Sequence, residues 1–267
     1  MPSADAKPAR TAAEPALSLP LDEAIRSSSS SVLKAAAADP ALTEDLALAL
    51  LKRADVPGEV LEQLSKNGAA MKSRKVKLAL VEHPKTPRHV SLPMVRHLFT
   101  FDLMRVALTP VVPTDIKKAA DESLVNRLET ISTGERLALA HRASGRVAGA
   151  LLLDPEARVI HAALENSRLT EAAVIQGLTR YDASAAFVEG VCRDAKWSVR
   201  REIRIALLRN EKTPLARALE FAHALPAALV REILHGSRLP GNVRSYVFKE
   251  LEQHENAGSA RRKSRHI

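Results

Sequence analysis

The chain has 267 residues, of which 46% are hydrophobic and only 3% aromatic, and its formal net charge is +9. A chain this apolar is not disordered throughout, and eight aromatic residues are too few for the β-rich folds that draw on Tyr, Phe and Trp. The apolar mass comes from Ala, Leu and Val, and the first two are strong helix formers, so an all-α fold is expected.

Residues 1–31 are rich in Ala, Pro and Ser and carry a net charge of −1. Residues 1–26 lack the charged start and apolar stretch of a signal peptide, and residues 27–31 resemble a serine linker, so a disordered N-terminal tail is expected. From Val32 onward a short pattern recurs: an apolar residue, small or apolar residues at helical spacing, then a breaker seven places on. Examples are Val32 to Asp39, Val76 to His83, Leu103 to Pro110, Val159 to Asn166, Ile203 to Asn210 and Val230 to Ser237, with Leu137 to Ser144 a weaker case. The spacing predicts one face of a helix. The breaker ends it, and Leu-Thr-Glu or Thr-Pro then starts another, Thr capping free N–H groups and Pro fitting the first turn. Each unit is thus helix, tight turn, helix.

A larger period overlies this one. Residues 32–124 slide onto 159–251 without a gap at an offset of 127. Leu42-Thr43-Glu44 falls on Leu169-Thr170-Glu171, Arg53 and Asp55 on Arg180 and Asp182, and Lys85-Thr86-Pro87 on Lys212-Thr213-Pro214. With roughly twenty identities over about ninety positions, the self-similarity is that of a repeat protein, and a tandem duplication is inferred. The expected organisation is a first set of repeats with a bridging repeat over 32–158, a second set over 159–255, and a basic disordered tail over 256–267. The last seven residues carry +4, leaving +6 on residues 32–260.

Two segments carry a resemblance. Asp154-Pro155-Glu156-Ala157-Arg158-Val159 and Asp194-Ala195-Lys196-Trp197-Ser198-Val199 place Val five residues after Asp, with Ala-Leu following at helical spacing. This resembles the HEAT-repeat signature, and over roughly residues 32–252 the chain is similar to bacterial HEAT-like and leucine-rich-repeat-variant α-solenoids. The resemblance implies stacked antiparallel helix pairs with concave and convex surfaces and capped ends. It implies no particular function.

No catalytic constellation is found, and no cofactor or metal is expected. His83, His89 and His97, spaced six and eight apart, do not share a helical face, and no His-Glu-x-x-His occurs. His83 aligns with Asn210 and is expected to be a turn residue. Gly145 and Gly149 lack the order of a phosphate loop. Cys192, the only cysteine, permits no intrachain disulfide and is expected to be a packed thiol. Trp197 is expected to pack between repeats, with the alternative that it anchors a partner. No membrane span is expected, and a cytoplasmic location is inferred.

Charge is the sharper signal. Lys66, Lys72, Arg74, Lys75 and Lys77 form a run without an acid, and at the offset of 127 Arg193, Arg201 and Arg204 answer Lys66, Arg74 and Lys77, with Lys196 and Arg200 alongside. Residues three apart share a helix face, while Val76, Ala79 and Leu80, and Ile203, Ala206 and Leu207, are expected to face the core. Such stripes are either a solvated face, with Glu202 offsetting the second, or a basic concave groove. Two functions are therefore carried forward. One is a non-enzymatic scaffold binding a protein or peptide partner, acidic in character, through Lys66, Arg74, Lys77, Arg193, Trp197, Arg200, Arg201 and Arg204. The other is nucleic-acid binding by phosphate contact. A basic groove resembles that of HEAT-like DNA alkylation-repair glycosylases, which use aromatic residues and an acid, here represented only by Trp197 and Asp194.

Overall fold

The computed structural model describes residues 19–263, residues 254–263 as helical backbone alone. All regular structure among the described residues is helical, and contacts group the chain into two units, residues 1–120 and 121–267. The first holds α1 (Leu21–Ala24), α2 (Ser30–Ala38), α3 (Glu44–Leu51), α4 (Gly58–Lys66), α5 (Arg74–Glu82), α6 (Arg88–Val95) and α7 (Thr100–Leu108), with a 3-10 turn at Ala70–Lys72; the division falls inside α8 (Thr114–Val125). The second holds α9 (Thr133–Arg142), α10 (Gly145–Leu151), α11 (Ala157–Glu165), α12 (Glu171–Thr179), α13 (Ala185–Arg193), α14 (Arg201–Arg209), α15 (Leu215–His223), α16 (Ala227–His235) and α17 (Gly241–Lys263).

The helices pack in two rows. In the first unit α2 lies against α4, and α3, α5 and α7 follow one another in the second row. In the second unit α9, α11 and α13 form one row, α10, α12, α14 and α16 the other, and α15 packs on both α14 and α17. This is the contact pattern of a helical repeat. Between the rows lie Leu, Val and Ala side chains, with Trp197, Phe187 and Phe221 the largest that are fully buried. Each fully buried Leu contributes about 1.5–3 kcal/mol, so many short helices hold without aromatic mass.

The offset of 127 reappears in the helix bounds. Added to α2, α4, α5 and α7, it reproduces α11, α13, α14 and α16 residue for residue; α3 and α6 differ from α12 and α15 by one residue at the C-terminal end.

Three boundaries differ from the sequence reading. Within the expected tail, α1 buries Ala24, Ile25 is buried beside it, and Arg53 donates to the carbonyls of Ile25 at 2.6 Å and Ser27 at 2.9 Å. At the other end the backbone of α17 runs on to Lys263, through much of the expected tail, whose last residues lie outside those described. The bridging block packs with the second unit, because α9 lies against α11 and α10 against α12.

Helix starts follow the capping residues. Thr43 accepts from the Leu46 N–H, Thr170 from Ala173, Ser73 from Val76 and Ser184 from Phe187, and Ser132 with Glu135 forms a full capping box. The Thr-Pro pairs behave otherwise. Pro87 and Pro214 occupy the N-cap itself, while the buried Thr86 and Thr213 donate backward, each at 2.6 Å, to the carbonyls of Leu80 and Leu207. They satisfy carbonyls that the preceding helix end leaves free. Gly145 opens α10 where a methyl group would collide with the carbonyl oxygen of Arg168.

Residues at helix ends tie neighbours within a row together. Asn67 caps α4 and donates to the carbonyls of Ala37 (3.0 Å) and Asp39 (2.9 Å) at the end of α2, while its oxygen accepts from Ala69 and Ala70. Asn166 does the same from α11 to Ala140 and Ala143 at the end of α9, and Asn210 from α14 to Leu178 in α12. His83 is the turn residue expected: its Nδ1 accepts from the Lys85 N–H, which leaves the hydrogen on Nε2, bonded to the Arg53 carbonyl at 3.0 Å. At these four helix ends a side chain thus closes an open carbonyl of the row neighbour, and leaving one of them unpaired costs about 1–3 kcal/mol.

Candidate partner-binding surface

The cations singled out in the sequence fall into two groups, those tied to a carboxylate and those without one. Arg74 belongs to the first. It begins α5, where the helix dipole disfavours positive charge, and forms a two-bond pair with the buried Asp102 at 2.7 and 2.9 Å while stacking over the exposed Phe99 ring at 4.5 Å. The Asp102 carboxylate raises the Arg74 pKa above its ordinary value. Its neighbour Lys75 is likewise held charged by Glu44 at 2.9 Å.

Lys66 pairs with Glu62 one turn earlier at 2.9 Å, and Arg193 with Glu189 at 3.4 Å. The two pairs sit at matching positions of the 127-residue offset, as do the Arg53–Asp55 and Arg180–Asp182 pairs. Lys66 holds the Glu62 carboxyl below the usual carboxylate range. Arg201 lies 3.6 Å from Glu202, and Arg200 reaches Glu171 at 2.7 Å. Five of the seven candidate cations are therefore locally offset.

Lys77 and Arg204 are the exceptions. Among the described residues neither has a carboxylate partner, and they occupy matching positions on α5 and α14. Arg204 is held by the Ser198 carbonyl at 2.8 Å and lies 5.9 Å from the centre of the Phe221 ring. Both are half-buried on the flank of their helix. The core face of α14 is Ile203, Ala206 and Leu207 as expected, with Leu208; on α5 it is Val76, Leu78, Leu80 and Val81, and Ala79 is only half-buried.

Trp197 is an internal residue and offers no exposed ring. It is 1% exposed, its Nε1 donates to the Leu164 carbonyl at 3.0 Å, and Lys196 and Arg200 cover the ring at 4.2 and 5.0 Å. Packing between helices is what the geometry gives, so the alternative of a partner anchor is corrected. Asp194 caps α13, its carboxylate accepting from the N–H groups of Lys196 and Trp197. Cys192 is buried, and desolvation pushes its thiol up to about 11, which leaves it a packing group at neutral pH.

Two open clefts lie in the first unit. One, of about 550 Å³, runs between α3, α5 and α7 and is lined by Leu48, Leu51, Leu78 and Val111, with Lys52, Lys75 and Arg105 at its edge. The other, of about 450 Å³, lies between α4, α5 and α6, where Lys66 and Lys77 come together with His89 and His97 over Met71, Val90, Met94 and Leu98. The sequence reading named the two lysines, and weighed His89 and His97 only as metal ligands; it did not single out the methionines. Met94 lies on α6 with His89, and Met71 in the 3-10 turn before α5.

Among the described residues no group of three or more His, Cys, Asp or Glu side chains is arranged to hold a metal ion, and no helix is long and apolar enough to cross a membrane. What the fold defines is an all-helical protein of short helices packed in sequential pairs, consistent with a helical repeat. Comparison with family models, curated proteins and solved structures finds no match to this chain.

Proposed function

We propose that this chain is a HEAT-like α-solenoid, arisen by tandem duplication of a segment of about 127 residues, that serves as a non-enzymatic scaffold for an acidic protein or peptide. The duplication is supported by the helix bounds, the matched capping residues and the matched ion pairs. The binding role rests on one observation above the others: Lys77 and Arg204 occupy the same place on corresponding helices, and among the described residues neither has a carboxylate partner. A cation without a carboxylate partner is available to one brought by a ligand, and its charge steers that ligand's approach.

Nucleic acid is the competing ligand. Trp197 is buried and Asp194 is engaged in a helix cap, so a base would find neither stacking surface nor free acid there, and phosphate contact alone would have to carry the affinity. The test is fluorescence anisotropy of a labelled oligoglutamate peptide, a labelled oligolysine peptide and a labelled DNA duplex, each titrated with the full chain across a salt series. The reading expects saturable binding of oligoglutamate that weakens with salt, and none of oligolysine. Tighter binding of the duplex, with a log-log salt slope of about −0.9 per phosphate neutralised, overturns it in favour of nucleic acid. Binding of neither anion removes both.

A further inference from the structure

The offset of 127 allows each cleft of the first unit to be compared with its counterpart positions in the second. For the cleft between α4, α5 and α6 the comparison is informative. Met94 on α6, half-buried, corresponds to Phe221 on α15, which is fully buried. Ser65 corresponds to the buried Cys192, and Val90 to Arg217, which is paired with Glu220. Lys77 corresponds to Arg204, whose guanidinium lies 5.9 Å from the Phe221 ring centre. In the second unit the corresponding position on α15 thus carries a fully buried aromatic ring with the α14 cation Arg204 near it. In the first unit an open volume of about 450 Å³ lies at these positions, with Met71, Val90, Met94 and Leu98 on its apolar side and Lys77 lining it along with Glu62, which pairs with Lys66 and lies 3.6 Å from His89. This volume falls within the range of about 300–1,000 Å³ typical of ligand sites.

We propose that this cleft binds an aromatic side chain of the partner, carried on a peptide next to acidic residues. The ring would occupy the space that Phe221 fills in the second unit, against the methyl ends of Met71 and Met94. Flexible thioethers adapt to an incoming ring and make favourable sulfur–aromatic contacts. A neighbouring carboxylate would meet Lys77, and a ring under its ammonium would add a cation–π contact. Lys66 is less available, because Glu62 already pairs with it. The inference rests on the reading of the chain as a scaffold for an acidic peptide, and adds to it a pocket and a side-chain preference.

Methyl NMR of the full chain, labelled with 13C at its methionine methyls, tests this with an internal control. Met71 and Met94 line the cleft, whereas Met104 is buried on α7 and is not part of it. The probes are an oligoglutamate peptide with one central phenylalanine and the same peptide with alanine there. The phenylalanine peptide is expected to shift the Met71 and Met94 signals saturably, leave Met104 in place, and bind about tenfold more tightly than the alanine peptide, a difference of about 1.4 kcal/mol. Met94→Phe, which copies the residue of the second unit, is expected to abolish the preference for phenylalanine. Lys77→Gln, which removes the charge and keeps a polar side chain of similar reach, is expected to weaken both peptides. Equal affinity of the two peptides without Met71 or Met94 shifts overturns the pocket and leaves the scaffold reading standing. Failure of both peptides to bind overturns both.

Discussion

The indole Nε1 of Trp197 donates to the carbonyl of Leu164 at 3.0 Å, the counterpart of the carbonyl of Ala37 to which Asn67 donates at 3.0 Å. The two donors differ because the caps differ. Asn67 both accepts from its own turn and donates across the row, whereas its counterpart Asp194 is a carboxylate and can only accept. Trp197, three residues further on, supplies the missing donor from inside the core. The one tryptophan is thus explained by a buried carbonyl and not by a ligand.

Trp197→Phe should therefore cost more than packing alone, about 1–3 kcal/mol from the unpaired Leu164 carbonyl in addition to lost ring volume. Asp194→Asn supplies an amide where Asn67 has one. In the Trp197→Phe background it should recover part of that loss, and in the wild type it should recover nothing. Urea unfolding midpoints of the four proteins of this double-mutant cycle give the answer. An Asp194→Asn effect that is the same in both backgrounds shows that the two residues do not share the task.

Much of this arrangement is legible in the sequence, because helix ends are marked locally. Asp39, His83, Asn166 and Asn210 stand at the close of an apolar-periodic segment, where a polar side chain can compete for backbone groups. The register of 127 is legible for the same reason. What the sequence does not display is long-range pairing. Asp102, which neutralises Arg74, lies 28 residues away in another helix, so the basic run around residue 74 looks stronger in sequence than in space. Nor does a four-residue helix such as α1 leave a periodic trace, since a single turn has no second turn to repeat it. The α4–α5–α6 cleft depends on Met94 standing where Phe221 stands in the second unit, a difference of volume that hydrophobic patterning cannot register.

Asp121 gives the pH dependence a sign. Burial pushes its carboxyl above the usual range, against the lowering effect of the Ser144 hydroxyl bonded to it at 2.7 Å and of Arg146. A carboxyl with a raised pKa binds more protons in the folded than in the unfolded state, so its contribution is present at low pH and is lost as pH rises through the folded value. Asp121→Asn keeps the acceptor for Ser144 and removes the desolvated charge. It should raise the melting temperature at pH 7 and lose that advantage below the unfolded carboxylate value of about 3.9. Thermal melts of both proteins across that range test this, and a stabilisation that does not change with pH contradicts it.

Cys192 should behave as a packed group. With its thiol raised to about 11 and its side chain buried, Ellman's reagent at pH 8 should leave the native chain unlabelled and modify one thiol per chain once urea unfolds it. Rapid native labelling at the same pH contradicts the burial.

On this account, cations without an acid partner in each unit, and not the net charge, carry the binding of an acidic peptide. Two double variants that remove the same charge separate these ideas: Lys77→Gln with Arg204→Gln, and Lys66→Gln with Arg193→Gln, the second pair already offset by Glu62 and Glu189. The measurement is the affinity of labelled oligoglutamate at one fixed salt concentration. The account predicts a loss of about tenfold, or 1.4 kcal/mol, for the first variant and little change for the second. Equal losses, or a larger loss in the second, would contradict it.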